Sequence, residues 1–108
     1  MKELNQLFFG ESVRSLRIKE DLPLRKLAAN LDIDPSTLGK IERNQRKPTK
    51  EIISKLSKIF KVNLNELLVK HISDKYAFEI ADKEYSLEVL KATRKKIVYL
   101  NKIKKEKP

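Results

Sequence analysis

Apolar residues recur three and four positions apart along nearly the whole chain, and glycine, the residue that most readily interrupts a helix, occurs only twice in 108 residues. That period does not fit the strict alternation of a half-buried strand, so the chain is predicted to be all-α. Phe9, Val13 and Leu16 define a stripe on a helix from about Gly10 to Glu20, which Asp21, Leu22 and Pro23 interrupt. Leu24, Leu27, Ala28 and Leu31 give the next stripe. A short turn of Asp32, Ile33 and Asp34 follows, then Pro35, pre-set for a first helical turn with Asp34 as its cap, opens a helix to about Arg43. Two short helices around a short turn predict a helix-turn-helix.

Pro48 closes the next loop and Thr49 is placed to cap a helix whose buried face is Ile52, Ile53, Leu56, Ile59 and Phe60. Asn63, with Glu66 three residues on, resembles a capping box and introduces Leu64, Leu67 and Leu68. The pattern continues through Ile72, Tyr76, Ala77 and Ile80 and restarts at Ser86. Residues 1–71 are therefore expected to form the helix-turn-helix domain, and residues 72–108 a helical extension with a basic end that frays. Leu64, Leu68, Leu87, Leu90, Ile97 and Leu100 are the expected dimer contacts, the alternative being that the extension packs back on its own domain. Tyr76, Phe78, Tyr85 and Tyr99 follow helical spacing and are expected to be packing residues.

Lys and Arg number 25 against 15 Asp and Glu, a net charge of +10 on a small body, which favours a polyanionic partner: nucleic acid, an anionic membrane or an acidic protein. With no cysteine, a single histidine (His71) and no paired carboxylates, neither an enzyme nor a metal or cofactor site is expected, and His71 reads as a surface or helix-end residue. No apolar run approaches the roughly 20 residues that span a bilayer; no membrane partner is expected, the basic amphipathic residues 91–107 being the one alternative route to an anionic lipid surface. The opening "MKELNQLFFGES" is too polar for a secretory signal, which leads us to expect a cytoplasmic protein.

Two charges fall on the wrong faces. Leu38 and Ile41 set the inward side of the 35–43 helix, and Glu42, four residues after Leu38, shares it. Arg17, four after Val13, points inward from the first helix in the same way. Lone buried charges are costly, so Arg17 and Glu42 are predicted to meet as a bidentate pair. The opposite face carries Ser36, Lys40 and Arg43, flanked by Thr37 and Asn44, with Gly39 at its edge; this is the composition of a helix lying in the major groove. Gly39 is expected to allow close approach to DNA or to a neighbouring helix. Arg46 and Lys47, just beyond that helix, are placed for phosphates.

The stretch from Phe9 to Leu68, "FGESVRSLRIKEDLPLRKLAANLDIDPSTLGKIERNQRKPTKEIISKLSKIFKVNLNELL", resembles the lambda-repressor-like (Cro/CI, XRE-type) helix-turn-helix family. The blocks R-x-L-R, L-A-x-x-L-x-I, S-T-L-x-K-I-E-R and L-x-K-I-F-x-V-x-x-x-E-L-L match in order and spacing. The resemblance implies a five-helix domain that docks on double-stranded DNA as a homodimer, with base-contacting positions on Pro35, Ser36, Thr37 and Lys40. It sets Arg43, Asn44 and Arg46 near the backbone and its inner Arg–Glu pair on Arg17 and Glu42. Three positions depart from the pattern. Pro23 and Leu24 replace a polar start to the second helix, leaving Arg25 to supply the phosphate contact; Asp32 stands where the turn usually has glycine; Pro35 replaces a frequent base reader. The resemblance implies a transcriptional regulator on a pseudo-palindromic operator, such as a small repressor or a restriction-modification controller protein. An antitoxin-like module that holds a protein partner through its C-terminal helices is the alternative.

Overall fold

The computed structural model describes residues 8–106, which form six α-helices and, among the described residues, no strand. They are α1 (Phe9–Lys19), α2 (Leu24–Asn30), α3 (Pro35–Glu42), α4 (Lys50–Phe60), α5 (Leu64–Ile80) and α6 (Ser86–Glu106). The helices divide into two compact units at Lys75/Tyr76. Most of the stretch read for a secretory signal lies outside the described residues, as do 107 and 108 of the basic end; α6 itself is helical to Glu106.

Local side-chain caps start three of the six helices. Asp34 accepts from the Ser36 N–H at the head of α3, Thr49 Oγ1 from Ile52 N–H at 3.1 Å on α4, and Asn63 Oδ1 from Glu66 N–H at 3.1 Å on α5. α1 differs. Its N-cap, Phe8, offers no side-chain acceptor, and two orphan N–H groups are satisfied from far along the chain: Phe9 N–H donates to Asp74 Oδ2 at 2.8 Å and Gly10 N–H to Asn44 Oδ1 at 2.9 Å.

The helix ends share one device. Asp21, Asp32, Asn44 and Lys61, just past α1 to α4, all have left-handed backbones with φ between 52° and 59°, and neither glycine has a positive φ. At Asp21, Asp32 and Asn44 the closing pattern is complete: Asp21 N–H donates to Ile18 O and Leu22 N–H to Arg17 O, Asp32 N–H to Ala29 O and Ile33 N–H to Ala28 O, and Asn44 N–H to Ile41 O and Gln45 N–H to Lys40 O. Asp and Asn tolerate this conformation better than most residues. A chain with two glycines can thus still end four helices sharply.

The first unit closes around Phe9, Val13, Leu27, Ala28, Leu31, Leu38, Ile41, Ile53, Leu56, Phe60 and Leu67, with Leu68 packed partly against them. Leu68 therefore contributes to its own core. His71 is neither a free surface group nor at a helix end: it is half-buried midway along α5, its ring edge-on to Phe9 with centroids 5.4 Å apart. Burial holds its imidazole below the ordinary histidine value, Asp74 opposing and Lys47 adding to the shift. In the second unit no α6 residue is buried. Tyr76, Phe78, Tyr85 and Tyr99, expected to pack, are each more than half exposed. That unit comprises the end of α5 and one long helix, too few layers to enclose aromatic rings.

Candidate nucleic-acid interface

α2, the turn at 31–34 and α3 form the helix-turn-helix. The turn depends on Asp32 (φ 58°) and on Asp34, whose carboxylate accepts from both the backbone N–H (3.0 Å) and the hydroxyl of Ser36. These bonds, the hydroxyl's first, hold the Asp34 carboxyl below its ordinary value. Ser36 is exposed, but its hydroxyl proton is already engaged, so it presents oxygen lone pairs outward.

On α3, Leu38 and Ile41 are buried, while Pro35, Ser36, Lys40 and Arg43 are exposed and Thr37 is partly so. Behind that face, Arg17 Nε donates to Glu42 Oε2 at 2.7 Å and Nη2 to Oε1 at 3.1 Å, and Nη1 holds Leu22 O at 3.0 Å. The Glu42 side chain is 4 % exposed and that of Arg17 14 %. α1 and α3 are thus joined by a two-point charged contact with little water around it, so α3 has a fixed orientation.

Of the two neighbours expected of Gly39, duplex or helix, no other helix lies against it. It is buried beneath the guanidinium of Arg43 on its own helix, and a Cβ there would lie 3.1 Å from Arg43 Nη1, with no other helix in reach. The close approach between helices falls at Gly10 instead, where a Cβ would lie 2.7 Å from Glu42 O and nearer still to Ile41 O. Helical spacing alone gives no signal for such a contact, because it is set by the tertiary crossing.

Asn44 also departs from its expected role. Besides accepting from Gly10, its Nδ2 donates to Glu11 Oε1 at 2.6 Å, so both ends of its amide are tied to α1. Its side chain is a strut between the end of α3 and the start of α1. The other basic candidates, Arg25, Arg43, Arg46 and Lys47, are exposed, Arg43 with Nε to Gln45 Oε1 at 3.3 Å. Thr37, Arg46 and Lys47 come together around a shallow cavity of about 290 Å³, with Lys55 of α4 among its lining. Lys55 was not singled out by sequence, since one lysine on a solvated helix face looks like any other. Arg25 does not line that cavity.

The family model described as Helix-turn-helix, HTH_3, matches residues 13–67. No curated protein matches the chain. The crystal structure of the clp gene regulator ClgR from Corynebacterium glutamicum is similar in fold, with a TM-score of 0.54 at 17% identity, covering 89% of this chain and 88% of that one. No helix among the described residues is long and apolar enough to cross a membrane. With the family match covering α2, its turn and α3, and with α3 held by the Arg17–Glu42 pair, the chain belongs to the Helix-turn-helix family HTH_3, DNA-binding proteins of the lambda-repressor-like kind.

Proposed function

We propose that this protein binds double-stranded DNA sequence-specifically in the cytoplasm, as a homodimer on a pseudo-palindromic operator, and acts as a compact repressor or restriction-modification controller. The observation that carries the reading is the exposed Ser36–Lys40–Arg43 face of a helix whose other side is fixed by the buried Arg17–Glu42 contact. A rigid helix of eight residues, with Lys40 on its exposed face and Arg43 just past its end, suits the major groove, where side chains reach base edges.

In this reading Pro35, Ser36, Thr37 and Lys40 face the bases, and Gly39 leaves room once Arg43 swings toward a phosphate. Ser36, its proton engaged by Asp34, accepts a hydrogen bond from a base amino group. Lys40 donates to acceptor edges, of which guanine offers two in the major groove. Arg25, Arg43, Arg46 and Lys47 neutralise phosphates and set position without reading sequence. Leu64, Leu87, Leu90, Ile97 and Leu100 supply the contact between copies.

Selection from a random duplex pool tests the reading. The expected result is an enriched pair of inverted half-sites separated by about one helical turn or a multiple of it. A pool that shows no enrichment, or a single asymmetric site, contradicts it.

A further inference from the structure

We propose that α6 pairs with α6 of a second copy in the antiparallel orientation, Leu87 of one chain against Leu100 of the other and Leu90 against Ile97. The inference rests on the homodimer proposed above and adds its orientation.

Leu87, Leu90, Ile97 and Leu100 are 76%, 53%, 51% and 55% exposed on a helix without a buried residue. A stripe of this kind is stabilised by covering it with another apolar face. Its spacing is three, seven, three, which reads the same in both directions. Reversing one copy therefore places every stripe residue opposite another. Parallel pairing in register also does so, and the charges distinguish the two.

The turn before α6 and its first residues carry Asp82, Lys83, Glu84 and Glu88, a net charge of −2, and the end of α6 carries Lys102, Lys104, Lys105 and Glu106, a net charge of +2, all exposed. Antiparallel pairing sets carboxylates of one copy near ammonium groups of the other at both ends. Parallel pairing stacks the two segments of net charge −2 on each other, and likewise the two of net charge +2. Flanking charges of this kind set partner orientation in paired helices. The cationic middle, residues 91–96, meets its own kind in either arrangement and does not discriminate. Opposed helix dipoles add a smaller contribution of the same sign.

The chain has no cysteine, so introduced thiols report without ambiguity. Full-length Leu87→Cys and Leu100→Cys are allowed to exchange subunits in a glutathione redox buffer, each alone and as an equimolar mixture; Leu90→Cys and Ile97→Cys form a second pair. Disulfides close only when Cα atoms are about 4.4–6.8 Å apart, so the mixture should give about tenfold more covalent dimer than either variant alone. Variants that close on themselves as readily as in the mixture overturn the orientation and leave the homodimer standing. A protein that sediments as a dimer but closes in no combination places the interface away from α6 and overturns the pairing. A monomer at micromolar concentration overturns the homodimer itself.

Discussion

At Gly10 an added methyl group would meet two backbone carbonyls of the facing helix, whereas at Gly39 it would meet only the flexible end of Arg43. The two glycines should therefore respond to alanine with opposite signs. Gly10→Ala is expected to destabilise by about 1–3 kcal/mol through overpacking. Gly39→Ala is expected to leave stability unchanged or raise it by up to about 1 kcal/mol, alanine being the better helix former. Urea denaturation of both variants measures this. The same measurement on Arg17→Ala should show a loss of about 3–5 kcal/mol, because Glu42 is left buried with no counter-charge. The Asp34 cap adds a pH signature. Its folded-state pKa is lowered, so its contribution is complete above the ordinary carboxylate range and is lost as pH falls through that range toward the lower folded value. Stability of the wild type and of Asp34→Ala should therefore converge in acid and diverge at neutral pH.

The left-handed ends of α1 to α4 bring a cost where the residue is neither glycine, Asp nor Asn, and Lys61 is that case. Lys61→Gly is expected to stabilise by about 0.5–1 kcal/mol, the relief of αL strain exceeding glycine's added freedom in the unfolded chain. Asn44→Gly, at an equally left-handed position, should destabilise, because it removes the bonds to Gly10 and Glu11. Thermal melts of the two variants should move in opposite directions. These positions also mark what sequence reading reaches. Asp34, Pro35, Thr49 and Asn63 start helices through neighbours two or three residues away, and the Arg17–Glu42 pair follows from two charges on apolar faces. Left-handed Asp32 was legible as a replacement for the family's glycine. The capping of α1 was not, because its acceptors lie 34 and 65 residues away in sequence. Nor was the Gly10 contact, and for the same reason Asn44 looked like a free polar residue beside a basic loop. His71 looked peripheral because its packing partner, Phe9, comes from the opposite end of the first unit's sequence.

For the molecule as a whole, a charge of +10 makes salt the natural probe of the proposed DNA contact. The logarithm of affinity should fall by about 0.9 per neutralised phosphate for each decade of salt, and Arg46→Ala should reduce that slope by about one per chain. This electrostatic part is common to all duplexes. Discrimination between them belongs to the outward face of α3. The most direct measurement is the ratio of affinities for the selected operator and a random duplex, at one salt concentration, for wild type, Lys40→Ala and Arg46→Ala. Lys40→Ala should lower the ratio by an amount corresponding to about 1–3 kcal/mol, while Arg46→Ala lowers both affinities and preserves it. Equal losses on both duplexes from Lys40→Ala, with the ratio intact, would contradict the account.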